Sequence, residues 1–118
     1  MTYERFDVVV VPFPYTDRST KRRRPAVILT GVDDYGAPTG QSVMAMITRG
    51  VHSRWPHDVP LSDRSTAGLI KDCRVRLKLF SIDHRLVDRR IGTLVPADRE
   101  ALKTALAALF DLSMSREE

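Results

Sequence analysis

The order of apolar and polar residues along this chain predicts a mainly β protein. Residues 7–13 form an almost continuous apolar run rich in valine, which is typical of a strand buried on both faces. Pro12 and Pro14 lack backbone donors and therefore end this strand. Three further strands, the last of them weak, are predicted over residues 26–30, 43–48 and 58–61. The turn-rich stretch 33–40 separates the first two of these three.

The clearest strand lies over residues 73–79, where apolar and basic side chains alternate. Its apolar members are Cys73, Val75, Leu77 and Leu79, and its basic members are Arg74, Arg76 and Lys78. Because successive residues of a strand point to opposite faces, one face should be core and the other cationic. Residues on one face lie about 6.6 Å apart, so the three cations could follow successive phosphates of an extended nucleic acid. A solvent-exposed face with acidic neighbours gives the same pattern.

A helix is predicted over residues 97–110. Its apolar residues recur at helical spacing and are Leu102, Ala105, Leu106, Leu109 and Phe110. Asp98 and Glu100 lie in the first turn, where negative charge suits the helix dipole. No internal repeat or linker divides the chain, so we expect one domain over residues 1–118, with a flexible tail at about 113–118.

Composition narrows the class of protein without deciding it. Nineteen Lys and Arg against 15 Asp and Glu leave a net charge of +4, which suits an anionic partner. The one cysteine, Cys73, excludes an internal disulfide and suits a reducing cytoplasm, and its apolar context favours buried packing over catalysis. Neither a signal peptide nor an apolar stretch of roughly 20 residues is recognisable. A soluble cytoplasmic protein without a membrane segment is expected.

The loop between the first two strands carries four consecutive cations that end against a proline. These residues are Lys21, Arg22, Arg23, Arg24 and Pro25. Adjacent like charges repel, and each would need its own partner in a low-dielectric core. The loop is therefore predicted to lie on the surface and to offer positive charge.

With its flanking strands, this loop resembles the N-terminal signature of the MazF/PemK family of ribosome-independent endoribonuclease toxins. Three further segments fit that family, residues 46–48, 67–73 and 76–83. The resemblance covers roughly residues 5–112, and the order and spacing of the segments carry it. It implies an SH3-like antiparallel barrel of the MazF/CcdB toxin type with a C-terminal helix, an α+β fold that assembles as a homodimer.

The resemblance also implies a function and its partners. The chain would be the toxin of a type II toxin-antitoxin system, an mRNA interferase that inhibits growth and is neutralised by a cognate antitoxin. It would cleave single-stranded RNA sequence-specifically, with no metal or other cofactor, by attack of a 2′-hydroxyl on the adjacent phosphorus. The products would carry 2′,3′-cyclic phosphate and 5′-hydroxyl ends. Such a site must remove a proton, stabilise a phosphorane and help the 5′ oxygen leave.

Two residues match the positions at which the family carries its catalytic groups. Arg24 precedes Pro25, and its planar fork can hold two phosphoryl oxygens of the phosphorane. Thr48 ends the third predicted strand, and its hydroxyl can donate to a phosphoryl oxygen or orient the attacking group. From the residues alone, Arg24 is equally a solvated arginine, and Thr48 is an ordinary β-branched strand residue.

Further candidates bind RNA or move protons. The basic residues Lys21, Arg22, Arg23, Arg74, Arg76 and Lys78 are candidates for binding phosphates. Trp55 and Tyr15 can each stack on a base or anchor the loop that carries them. Asp17 matches a family position but also suits a turn. His52, His57 and His84, the last after a predicted turn at 81–83, are candidates for proton transfer because histidine is the usual residue for that role, although solvated loop histidines are common.

The sequence departs from the family in two places. Some members carry a carboxylate on the strand that here spans residues 74–79, which has none, so a general base on that strand is in doubt. The first glycine typical of the family is replaced by Phe6, a change expected to affect packing more than chemistry. Two rival functions also stay open. One is a non-enzymatic CcdB-like toxin that binds DNA gyrase, and the other is an RNA-binding barrel that cuts nothing.

Overall fold

A computed structural model describes residues 2–12, 23–51 and 53–112 of the chain. Within them the chain forms one six-stranded antiparallel sheet whose spatial order is β4-β5-β3-β2-β1-β6. The strands are β1 (Asp7–Pro12), β2 (Arg23–Ile28), β3 (Gln41–Arg49), β4 (Val59–Pro60), β5 (Cys73–Asp83) and β6 (Arg89–Thr93). A helix over Pro96–Phe110 follows, and none of the described helices is long and apolar enough to cross a membrane.

The predicted fold class is confirmed, since a curled antiparallel sheet carries a C-terminal helix. Three local predictions are wrong. Arg23, Arg24 and Pro25, predicted to lie in the basic loop, form the start of β2, where they pair with β1. The stretch predicted to be turns contains short helical segments, Val32–Gly36 and Ala37–Thr39. The turn predicted at 81–83 is the end of β5, because these residues pair with Gln41, Ser42 and Val43 of β3, and Ile82 packs in the core.

The two faces of the sheet bury two apolar clusters. One cluster is formed by Phe6, Val8, Val27, Ala45, Ile47, Val59, Ala67, Val75, Leu94 and Leu102. The other is formed by Tyr3, Val9, Val11, Ala26, Ile28, Met44, Ile82 and Val87. Adjacent residues of β1 and β2 fall into different clusters, which explains their continuous apolar sequence. The second face also carries the candidate site at one end of the central strands.

The C-terminal helix packs on the first cluster through only part of its apolar stripe. Leu102 is fully buried, whereas Leu109 and Phe110 are exposed. Asp98 fixes the start of the helix, because its carboxylate accepts hydrogen bonds from the Ser62 backbone N–H at 3.0 Å and from the Ser62 hydroxyl at 2.8 Å. Asp111 ends the helix with a left-handed backbone, a common helix terminus.

Two glycines let the loop before β5 pack against β6. Gly68 has a positive φ of 80°, and a Cβ there would lie 2.1 Å from the carbonyl oxygen of Ile91. A Cβ at Gly92 would lie 2.3 Å from the backbone of Ala67. Both backbones approach too closely for any side chain, so these positions require glycine.

Candidate active site

Arg24 and Thr48 lie together on neighbouring strands. The register of β2 with β3 pairs Ala26 with Met46, and Arg24 and Thr48 lie two residues beyond that pair in opposite chain directions. They therefore lie on the same face at the same end of the two strands. Both line one open cavity of about 530 Å³, together with Arg23, Pro25, Ile47, Arg49 and Cys73. The structure thus brings together the two residues predicted to be catalytic.

The guanidinium of Arg24 contains one buried donor, its Nε, that has no hydrogen-bond partner among the described residues. A buried donor that stays unpaired costs about 1–3 kcal/mol. Arginine forks bind phosphoryl oxygens well, and Arg24 lines the cavity, so its guanidinium is suited to an anionic ligand there. Pro25 follows directly and restricts the backbone beside the fork.

Thr48, the second candidate, has a restricted conformation. It is buried near the end of β3, and β5 places Arg74 opposite it. Strand geometry and the β-branched side chain restrict its rotamers, so the hydroxyl keeps a defined position beside the cavity. A hydroxyl placed in this way can donate to a phosphate oxygen or orient a neighbouring hydroxyl.

Arg74 and Arg76 differ from the solvent-facing cations that the alternating pattern predicts. Their side chains are only 9% and 10% exposed, because the loop after β3 covers them. Arg74 Nε donates to Asp58 Oδ2 at 2.8 Å, and Arg76 Nη2 donates to the same oxygen at 3.0 Å. Both guanidinium groups also donate to the carbonyl of Ser53. These arginines thus hold the loop in the described structure.

Asp58 is the residue that sequence reasoning missed. Its carboxylate is 6% exposed and also accepts a hydrogen bond from the backbone N–H of Trp55 at 2.9 Å. Burial raises the pKa of this carboxyl, but hydrogen bonds from Arg76, Trp55 and Arg74 outweigh burial, so the pKa lies below its ordinary value. Asp58 is therefore a poor proton acceptor at neutral pH. No spacing pattern in the sequence marks it as the partner of two arginines.

The same loop carries Trp55 and His57. The guanidinium of Arg76 lies over the Trp55 ring at 4.7 Å from its centroid, while 43% of Trp55 stays exposed. Trp55 thus contacts Arg76 through its ring and is still partly exposed. His57 is exposed and has a positive φ of 67°, a conformation that is strained for a residue other than glycine.

The remaining predicted residues are dispersed. Arg23 is exposed beside the cavity and lies 3.5 Å from Asp88, and Lys78 is half-buried on β5. His84 lies at the other end of the sheet, where its Nε2 is 2.7 Å from the hydroxyl of Ser42. Ser42 and Thr48 are six residues apart on β3, or roughly 20 Å, so His84 is remote from the cavity. Predictions on Asp17, Lys21, Arg22, Tyr15, His52 and the tail at 113–118 fall outside the described residues.

Cys73 is half-buried and lines the cavity that contains Arg24 and Thr48. Burial raises the pKa of its thiol, with nearby Arg49 acting in the opposite direction. The thiol therefore stays protonated at neutral pH, which agrees with the packing role expected from its apolar strand. Among the described residues, no group of three or more His, Cys, Asp or Glu side chains is arranged to hold a metal ion.

Comparison with known proteins gives one family and one fold. Residues 4–110 match the family described as PemK-like, MazF-like toxins of type II toxin-antitoxin systems. The fold is similar to that of MazF in a MazE-MazF structure (form III) from Deinococcus radiodurans, with TM-score 0.75, 18% identity, and coverage of 96% of this chain and 100% of that chain. Comparison with curated proteins gives no significant match.

Two further solved structures share the fold. One is an endoribonuclease in complex with its cognate antitoxin from mycobacterial species, with TM-score 0.74, 17% identity, and coverage of 96% of this chain and 99% of that chain. The other is the Mycobacterium tuberculosis toxin MazF-mt6, with TM-score 0.69, 23% identity, and coverage of 92% and 99% respectively. At these identities the similarity shows the architecture, while the family match covers nearly the whole sequence.

Proposed function

The chain belongs to the PemK-like, MazF-like family of toxins of type II toxin-antitoxin systems, and on that basis we propose that it is an endoribonuclease. It cleaves single-stranded mRNA without a metal, by attack of a 2′-hydroxyl on the adjacent phosphorus, and leaves 2′,3′-cyclic phosphate and 5′-hydroxyl ends. RNA is the substrate class because DNA lacks the attacking hydroxyl. The observation that carries the proposal is the cavity shared by Arg24 and Thr48.

Arg24 is proposed to stabilise the phosphorane. Negative charge on the equatorial oxygens grows in the transition state, and a positioned guanidinium is worth most where that charge develops. Arg24 lines the cavity that such an oxygen would enter. The fixed hydroxyl of Thr48 orients the attacking nucleotide or donates a second hydrogen bond. Arg23 lies exposed at the rim, where it can bind a neighbouring phosphate.

The partners follow from the family and from what the similar proteins assemble with. The solved structures include MazE-MazF from Deinococcus radiodurans and an endoribonuclease in complex with its cognate antitoxin. We therefore propose that this chain forms a homodimer that a cognate antitoxin inhibits. It acts in the cytoplasm, where mRNA is found, and unrestrained cleavage inhibits growth. The net charge of +4 suits both RNA and an acidic antitoxin segment.

The test is cleavage of a long, sequence-diverse single-stranded RNA in EDTA by the purified protein and its variants. Arg24→Lys keeps the charge but loses the planar fork, and Thr48→Val keeps the shape but loses the hydroxyl. Each should lower the cleavage rate by about 10²–10³-fold while RNA affinity stays near that of the unchanged protein. Arg85→Lys is the matched control, because Arg85 is exposed at the other end of the sheet and pairs locally with Asp83 at 3.0 Å.

The outcomes separate this function from its rivals. Discrete cuts that Arg24→Lys loses, with binding retained, establish the enzyme. RNA that is bound but stays intact in every sequence context points to a plain RNA-binding barrel. RNA that is neither bound nor cut, together with inhibition of DNA gyrase, points to a CcdB-like toxin.

A further inference from the structure

A second cavity adjoins the one that contains Arg24 and Thr48. It measures about 360 Å³, within the size range of small-ligand sites. Cys73 lines both cavities, and Arg74, which lines the second, is the cross-strand neighbour of Thr48. Its apolar walls include Trp55, Pro60 and Leu61. A nucleic acid bound in the first cavity could therefore place a neighbouring nucleotide in the second.

Trp55 gives this cavity a partly exposed aromatic wall. The Arg76 guanidinium covers one side of the indole at 4.7 Å from the ring centroid, yet 43% of the residue is exposed. A large exposed aromatic residue that lines a concave site is suited to stacking with a flat ligand.

The loop that carries Trp55 is fixed by buried polar contacts. Asp58 Oδ2 accepts a hydrogen bond from the backbone N–H of Trp55 at 2.9 Å. The same oxygen accepts hydrogen bonds from Arg74 Nε at 2.8 Å and from Arg76 Nη2 at 3.0 Å. His57, between them, has a left-handed backbone that costs about 1–3 kcal/mol and persists only where the surroundings enforce it. Such strain is concentrated in ligand-binding segments. These contacts hold the backbone of the loop, and the Arg76 guanidinium adds a contact to the indole ring itself.

We propose that this cavity binds one unpaired base of the RNA substrate, stacked on Trp55, next to the phosphate held at Arg24. The inference rests on the proposed function, since the phosphate in the first cavity sets the distance to the base in the second. An unstacked base of single-stranded RNA exposes the π-face that this site requires. The charged neighbours Arg54 and Asp72 line the same cavity and can meet the edge of the base.

Fluorescence tests the stacking directly, because Trp55 is the single tryptophan of the chain. The probe is an RNA oligonucleotide that contains a mapped cleavage site, with a 2′-deoxy nucleotide at the cleaved linkage so that it binds but is not cut. Binding is followed independently by the anisotropy of a terminal label. We expect binding to quench Trp55 emission. An abasic substitution at one position beside the cleaved linkage should restore the emission while the oligonucleotide still binds.

A pair of variants adds a test on affinity. Trp55→Phe keeps an aromatic face and should bind within a few-fold of the unchanged protein. Trp55→Leu keeps apolar bulk without the π-face and should bind roughly 5- to 150-fold more weakly. With the abasic oligonucleotide the two variants should bind equally, which a merely structural role of Trp55 would not produce.

The possible results distinguish a failure of the subsite from a failure of the function. If RNA binds and is cut, but no abasic position restores the emission or abolishes the difference between the two variants, the stacking site is wrong and the nuclease stands. If no RNA is bound or cut, the proposed function fails and the subsite fails with it.

Discussion

The contacts of Asp58 predict a large loss of stability when its charge is removed. The Asp58 carboxylate, which is 6% exposed, forms ion pairs with Arg74 and Arg76, whose side chains are 9% and 10% exposed. Asp58→Asn keeps the shape of the side chain but leaves Arg74 and Arg76 buried without a counter-charge. Breaking a buried ion pair in this way costs about 3–5 kcal/mol, a large part of the 5–15 kcal/mol that stabilises a typical domain.

The same cost can be stated as a melting temperature. The entropy of unfolding is about 2.1 cal/mol/K per residue, or roughly 250 cal/mol/K for this chain, so Asp58→Asn should lower Tm by about 12–20 °C. Asp72→Asn is the control, because Asp72 is 93% exposed and pairs with the half-exposed Arg64 at 3.0 Å. Exposed pairs contribute about 0–1 kcal/mol, so this variant should lower Tm by no more than about 4 °C.

The pH dependence of the Asp58 effect has a defined sign. The pKa of Asp58 is lower in the folded protein than the ordinary value of 3.8. A lowered carboxyl pKa stabilises the fold fully above the unfolded pKa, and this contribution is lost as the pH falls through the folded pKa. The Tm difference between the unchanged protein and Asp58→Asn should therefore be complete at pH 7 and narrow below about pH 4. Calorimetry at pH 7 that finds equal Tm losses for Asp58→Asn and Asp72→Asn would refute this reasoning.

Two further predictions concern Phe6 and Cys73. Phe6 has a positive φ of 74° with a buried ring, so Phe6→Gly should relieve about 1–2 kcal/mol of strain but lose about 3–5 kcal/mol of packing. Phe6→Ala loses the ring without that relief, so its free energy of unfolding in urea should be lower than that of Phe6→Gly. The opposite order would contradict the left-handed backbone. Because burial raises the pKa of Cys73, iodoacetamide at pH 7 should alkylate the folded protein more slowly than the urea-unfolded protein. Equal rates would mean that the thiol is not protected by the fold.

β5 and the C-terminal helix could be predicted because their patterns are local, whereas β6 and the start of β2 were not predicted. The alternation in residues 73–79 identifies β5, and the 3.6-residue spacing after Pro96 identifies the helix. Only the family resemblance suggested that Arg24 and Thr48 belong to one catalytic site. The structure adds the physical reason, which is the antiparallel register that places both residues at the same end of β2 and β3.

The capture of Arg74 and Arg76 by Asp58 could not be predicted in this way. The partners are 16 and 18 residues apart, and their contact depends on how the loop after β3 folds back over β5. Period-2 alternation reports which face a side chain is on, but not whether a loop covers that face. The substitution of Phe6 for a glycine was visible in the sequence. Its cost became visible only when the backbone showed a left-handed conformation at that position.

Product-end analysis of RNA cut by the purified protein in EDTA tests whether this chain is a metal-independent endoribonuclease. It should be run beside the same RNA with a single 2′-deoxy nucleotide at the cleaved linkage and beside Arg24→Lys. We expect 2′,3′-cyclic phosphate and 5′-hydroxyl ends, no cut at the deoxy linkage, and a loss of about 10²–10³-fold in Arg24→Lys. Cleavage at the deoxy linkage, or full activity of Arg24→Lys, would contradict this mechanism.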